Sequence, residues 1–426
     1  MKSSGEKGNE TEPQAENGPS DHIERTGESA GPASEPWAVP PKLSLNFPWY
    51  TPQGSRVLRS GDLGAILRYY RKFRKCTQRR LSEMVGVDRT LVSLWETGSR
   101  RLDSIPDRIT LADRLGIPYA SLGISGVGQQ DHAEMIASGE SVVRLARLAR
   151  EEGRAADALR ELGRLVRALE ERARSKKARR ADVMLLAAAR AEIGVALGDL
   201  LPEAHLAAAV QWAGSGANML KELKGEPRMW AHALRMQGNE LRKAGDLPQA
   251  VKTLQSAVEV SPDLGGRATA GLLLARAASE QGNIGMLDRC VEQCRHALEQ
   301  DPSISDFFIN PFSLREVELR GFLLTGRIKD AERVASQSNT TSPAPPTWGV
   351  IERVTMAQFH LATGEAKVAD SELRAAILDA QTLALPHQVE RAIRLAGSAN
   401  LHDLVRIGRE VVEGMSDPLM GPGDVA

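Results

Sequence analysis

The sequence predicts an all-α protein, a small helical domain followed by a long stack of helix pairs. Three observations predict it. From about Gly139 the chain is rich in Ala, Leu, Arg and Glu, with apolar residues at helical spacing. Glycines 153, 198, 245, 282, 326 and 364 each separate one such helix from an alanine- or leucine-led successor, at spacings of 45, 47, 37, 44 and 38 residues. Aromatic residues make up only 4% of the chain, which suits helices packed through small side chains. At 426 residues the chain is too long for one core, so several domains are expected.

Residues 1–55 read as a disordered tail. Eight prolines fall by Pro52, and residues 1–50 hold eight acids against four Lys/Arg. So few apolar groups cannot offset the entropy of ordering the segment. Phe47-Pro48-Trp49-Tyr50 stands out, either as a docking motif or as the start of the ordered domain. The tail lacks the apolar core of a signal peptide, and no later stretch is apolar enough to span a membrane, so a cytoplasmic protein is expected.

Residues 56–124 read as a DNA-binding domain. Within them, Thr77 to Gly98, TQRRLSEMVGVDRTLVSLWETG, describes two short helices joined by a tight turn. Thr77 can cap the first, whose Leu81, Met84 and Val85 form an apolar face. Gly86 permits the reversal. Asp88 can cap the second, with Leu91, Val92 and Trp95 facing inward. Between Arg56 and Leu102 lie twelve Lys/Arg against four acids, a net +8, whereas the whole chain balances at 55 of each. A local basic surface on a neutral protein calls for an anionic partner.

This run resembles the lambda-repressor/Cro (XRE) class of helix-turn-helix domains. The resemblance rests on Thr77-Gln78, Gly86-Val87 and Ser93-x-Trp95-Glu96-x-Gly98, and spans roughly Ser60 to Leu122 as five helices, with ITLADRLGIPYASL matching the last two. Leu94 departs from it, standing where a polar or basic residue is common. The resemblance implies double-stranded operator DNA as partner and a homodimer reading paired half-sites. The expected DNA-facing set is Gln78, Arg79, Arg89, Thr90, Ser93, Leu94, Arg100 and Arg101. Gln78 is placed to bind phosphate through its amide. Arg89, beside Thr90 at the start of the recognition helix, is the candidate for bidentate guanine recognition, and Leu94 can touch a thymine methyl. Arg100 and Arg101 are expected on phosphates.

Residues 125–139 read as a linker. Beyond them RARSKKARR is an exposed basic loop, either a non-specific DNA contact or a plain surface loop. Residues 140–413 form the repeat region and 414–426 a flexible C-terminal tail. The run ALRMQGNELRKAGDLPQAVKTLQSAVEVSP resembles a tetratricopeptide (TPR) repeat, with Gly238, Leu241, Gly245, Ala250, Leu254, Ala257 and Pro262 at its small and apolar positions. The resemblance implies a TPR-like α-solenoid with a concave groove, interrupted by a loop near residues 338–347. Six residues before the turn glycines stand Glu192, Asn239, Arg276, Arg320 and Gln358, all polar. With Arg235 and Arg242 flanking Asn239, the set Arg235, Asn239, Arg242, Arg276 and Arg320 reads either as an effector site for a signalling peptide or as a solvated face.

Cys76, Cys290 and Cys294 form no disulfide framework or metal-ligand pattern, and His205, His232, His360 and His387 have no recognisable acid partner in sequence. No metal, cofactor or enzymatic activity is expected. The two resemblances together imply a bacterial transcriptional regulator whose solenoid dimerises and senses a peptide or other effector. The alternatives are a DNA-tethered scaffold binding a protein partner in the groove, or an antitoxin-type autoregulator.

Overall fold

Local capping signals mark out the N-terminal bundle. The computed structural model describes residues 39–124, 129–175, 177–306, 308–337 and 345–416, and among these no strand occurs. Five helices form the bundle: α1 (Pro52–Ser60), α2 (Leu63–Arg74), α3 (Gln78–Val85), α4 (Arg89–Thr97) and α5 (Ile105–Leu115). Thr51, Asp62, Thr77, Asp88 and Ser104 cap them in turn, each accepting a backbone N–H of the first turn. Such caps stabilise a helix by about 1 kcal/mol each. Gly86, at φ 78°, makes the α3–α4 reversal in the left-handed region that a Cβ resists. Ile66, Leu67, Leu81, Val92, Trp95 and Leu115 close the core.

The five helices begin earlier than the sequence indicates. The run expected to supply the last two gives α5 and a 3-10 turn, Tyr119–Leu122, while α1 lies upstream. The expected tail through residue 55 is corrected accordingly. Residues 39–47 lack regular structure, yet Leu43, Leu45 and Phe47 pack against the repeat core, and Arg190 Nη2 donates to the Pro41 carbonyl at 3.0 Å. Pro48–Tyr50 make a 3-10 turn leading into α1. The rest of that tail, residues 1–38, lies outside the described residues.

The repeat region comprises α6 (Gln129–Glu151), α7 (Ala155–Arg174), α8 (Arg180–Leu200), α9 (Leu206–Leu223), α10 (Pro227–Lys243), α11 (Leu247–Val260) and α12 (Leu264–Glu280). It continues through α13 (Ile284–Gln300), α14 (Pro311–Leu324), α15 (Ile328–Ala335), α16 (Pro346–Ala362), α17 (Ala366–Thr382), α18 (Pro386–Ser398) and α19 (His402–Ser416). Each even-numbered helix packs on its successor, and α6, α8, α10, α12, α14, α16 and α18 pack in sequence as an inner layer. That layer explains why α8, α12 and α14 are buried around most of their circumference: neighbours cover them on several sides.

Five further expectations change. The linker at 125–139 is helical from Gln129, and residues 125–128 lie outside the described set. In RARSKKARR, α7 runs to Arg174 and α8 starts at Arg180, with Ala178 and Arg180 buried. Arg172 and Arg174 pair with Asp182 and Glu170 at 2.8 and 2.9 Å, so much of its charge is neutralised internally. Gly198 is not a turn. It lies within α8, where an added Cβ would collide with the Glu240 carboxylate. Of the loop near 338–347, residues 338–344 fall outside the described set and α16 starts at Pro346; of the C-terminal tail, α19 takes 414–416 and the rest lies outside.

The last hairpins return to the first. Leu383, between α17 and α18, abuts Gly153 between α6 and α7. Glu203, just after α8, pairs with Arg394 of α18 at 2.6 Å.

Candidate functional site

At the bundle surface the start of α4 projects outward. Asp88 accepts the Thr90 N–H at 2.7 Å, fixing the first turn. Arg89 and Thr90 are exposed there, and Ser93 and Leu94 are half-buried one turn on. Arg100 and Arg101 follow the helix, both exposed. Among the described residues no carboxylate lies within ion-pair distance of Arg89, Arg100 or Arg101, whereas Arg79 pairs with Glu83 at 3.3 Å. These guanidinium groups, Arg89 at the N-terminus of α4 and Arg100 and Arg101 just past its C-terminus, are free to bind phosphate or guanine edges.

Behind this face, Glu96 ties three helices together. Arg71 of α2 grips its carboxylate with Nε and Nη2 at 2.5 and 2.8 Å. Gln78 of α3 donates Nε2–H to it at 2.8 Å. Burial pushes the Glu96 carboxyl up, but the bonds from Arg71 and Gln78 override that and hold it below its ordinary value. The Gln78 amide, expected on a phosphate, gives this hydrogen bond to Glu96. That nitrogen buttresses α4 from within, and Trp95, 4% exposed, is core.

In the repeat region the inner layer carries a chain of buried charge. Arg242 and Arg320 both donate to Glu280 Oε1, at 2.7 and 2.5 Å, and Arg242 also donates to Asn239 Oδ1 at 3.2 Å. Burial raises the Glu280 carboxyl, but Arg242, Arg320 and Arg276 bring it down to about 2. Arg276 lies over Trp348, 5.6 Å from the ring centroid, and burial together with Arg242 lowers it to about 9. Arg391, absent from the expected set, donates to Thr355 Oγ1 at 2.6 Å, and burial holds it well below its ordinary value. Among the described residues neither Arg276 nor Arg391 has a carboxylate at ion-pair distance. Four guanidinium groups thus face two acids, Glu280 and Glu316. Arg242, Glu280, Arg320, Gln358 and Arg391 line a cavity of about 330 Å³, while Asn239, Arg242 and Arg276 line the adjoining one.

The structure brings Asn239, Arg242, Arg276 and Arg320 together but not as a solvated face, since all four are buried. Arg235 stands apart. It donates to the Gly266 carbonyl at 3.0 Å and contacts His232 at 3.1 Å, beside the buried Glu192 that Arg147 and His232 engage. No family model matches the chain and no curated protein matches it. Among solved structures, it is similar to Bacillus thuringiensis PlcR in complex with the peptide PapR7 and DNA, at 13% identity over 64% of this chain and 94% of that one, with a TM-score of 0.33. It is also similar to a Rap protein complexed with competence and sporulation factor, at 9% identity over 86% and 96%, with a TM-score of 0.44. Likenesses this distant carry no argument about function.

The expectation that the histidines lack acid partners is corrected. His232 meets Glu192 at 3.0 Å, His360 meets Glu365 at 2.6 Å and His387 meets Glu203 at 3.0 Å. Two of these partners lie 40 or more residues away, beyond the reach of any local motif. Cys290 and Cys294 are buried, and burial pushes their thiols up to about 11 and about 12, which suits packing rather than nucleophilic chemistry. Among the described residues no helix is long and apolar enough to cross a membrane.

Proposed function

We propose that this chain is a non-enzymatic, sequence-specific transcriptional regulator of the XRE class, acting as a homodimer in the cytoplasm. Arg89 and Thr90 read bases in the major groove, and Arg79, Arg100 and Arg101 bind flanking phosphates. The observation that carries this reading is α4 itself: a capped start with exposed Arg89, and exposed Arg100 and Arg101 just past its end, none of them with a carboxylate at ion-pair distance among the described residues. Protein contacts that position a helix on DNA are largely of this kind.

The inner-layer cavity is the effector site in this reading. Arg242, Lys243, Arg320, Arg391 and Arg394 line it against Glu203 and Glu280, an excess of positive charge that favours a ligand bearing carboxylates, such as a signalling peptide. Asn239 and Gln358 supply groups able to bond a peptide backbone. Genome-wide mapping of the bound protein tests the DNA half: recovery of a palindromic operator supports it, and uniform occupancy contradicts it. For the groove, an added peptide should shift operator affinity in the wild type and fail to do so in Asn239→Ala. A stoichiometric protein co-purifying with the chain would favour the scaffold reading instead.

A further inference from the structure

Where the solenoid's end returns to its beginning, three metal-ligating side chains converge. Glu203 belongs to the 3-10 turn Glu203–His205 between α8 and α9, while His387 and Glu390 lie three residues apart on one face of α18. One ligand atom from each lies within 4.8 Å of the others. The Glu203 N–H donates to Glu390 Oε2 at 2.9 Å, which holds the two carboxylates side by side.

The His387 imidazole is buried beside these carboxylates. It is 8% exposed, and its Nδ1 lies 3.0 Å from Glu203 Oε1 without hydrogen-bonding alignment, leaving a buried nitrogen unsatisfied. One imidazole and two carboxylates form a donor set suited to zinc, with water completing the tetrahedron. Zinc–ligand bonds of about 2.0–2.2 Å require the three atoms, within 4.8 Å of one another, to close to roughly 3.4 Å, a movement within reach of two flexible glutamates.

The competing cation is Arg394, whose Nη1 bonds both Glu203 oxygens at 2.6 and 2.7 Å from a half-exposed side chain. Arg242 and Lys243, which also bear on His387, are held by Glu280 and by Asp199 and Glu240. We infer that Glu203, His387 and Glu390 form a zinc-type divalent cation site that replaces Arg394 on Glu203 and clasps α18 to the α8–α9 connection. Glu203 and His387 line the same cavity as Arg242 and Arg320, so occupation alters the mouth of that cavity.

The test is a Co²⁺ titration of the untagged, chelator-stripped full chain, followed by visible absorption and then Zn²⁺ displacement. One equivalent of cobalt should bind with tetrahedral-type absorption and be displaced by zinc. Glu203→Gln and Glu390→Gln, each checked for wild-type circular dichroism, should lose it. Arg394→Ala should bind about tenfold more tightly once its charge-assisted bonds no longer compete. Absence of saturable cobalt binding in the wild type, or binding unaltered in both glutamine variants, overturns the assignment.

Discussion

Trp49 and Tyr50, neighbours in the chain, bury in different hydrophobic cores. Trp49 lies in the bundle core and donates Nε1–H to the Leu115 carbonyl at 2.8 Å. Tyr50 lies in the core of the first repeats, and its carbonyl accepts from Arg180, which also donates to the Leu223 carbonyl at 2.7 Å. A movement of the repeats can therefore reach the N-terminal bundle through the Trp49–Tyr50 peptide unit. This is the packed, discrete connection that coupling between two sites requires.

Tyr50→Ala should release this connection. Removing a buried aromatic ring costs about 3–5 kcal/mol at a well-packed site. Hydrogen exchange should show lost protection in residues 41–50 and the α8 start, with the α3–α4 amides little changed. Equal loss of protection throughout the bundle would mean that the two cores are one cooperative unit.

Glu96→Gln tests the internal brace of α4. It leaves Arg71 without its carboxylate, and breaking a buried pair costs about 3–5 kcal/mol. Denaturation should show the bundle destabilised while the repeat region keeps its transition. Operator and random DNA should be weakened alike, because Glu96 faces inward.

Much of this was legible in the sequence. Thr77, Gly86, Asp88 and Gly98 are local signals acting within a turn, and each occupies its expected cap or reversal. The segment 39–47 was not legible, because Leu43 and Leu45 are isolated apolar residues among prolines whose burial depends on partners over a hundred positions away. The groove was legible as a set of polar positions but not as a network. Glu280 unites Arg242 and Arg320 from 38 and 40 residues away, and Arg391 enters from the far end of the chain. Gly198 misled because a glycine giving room to a carboxylate looks, in sequence, like one making a turn.

Glu280→Gln should destabilise the repeat region by about 3–5 kcal/mol near neutral pH, leaving Arg242 and Arg320 buried without their acid. The folded value of Glu280 is depressed from 4.5 to about 2, so its stabilisation is fully present above the ordinary carboxylate range. It is lost as pH falls through about 2. The difference in unfolding free energy between wild type and variant should therefore be flat above pH 4.5 and shrink as the pH falls towards 2. A difference independent of pH across that window would contradict the charge assignment.

Arg100→Ala and Arg101→Ala should each lower the slope of log affinity against log salt by about 1, with little change in sequence preference. Titrations at several salt concentrations on operator and random duplexes measure both quantities. An unchanged slope would remove these residues from the phosphate contacts.

Arg89→Ala in the full chain tests the central claim most directly, by fluorescence anisotropy on the mapped operator and on random DNA of equal length. Loss of a bidentate guanine contact is worth about 1–3 kcal/mol of discrimination, so the operator-to-random affinity ratio should fall by roughly ten- to a hundredfold. A ratio equal to that of the wild type would mean that α4 does not read DNA through Arg89.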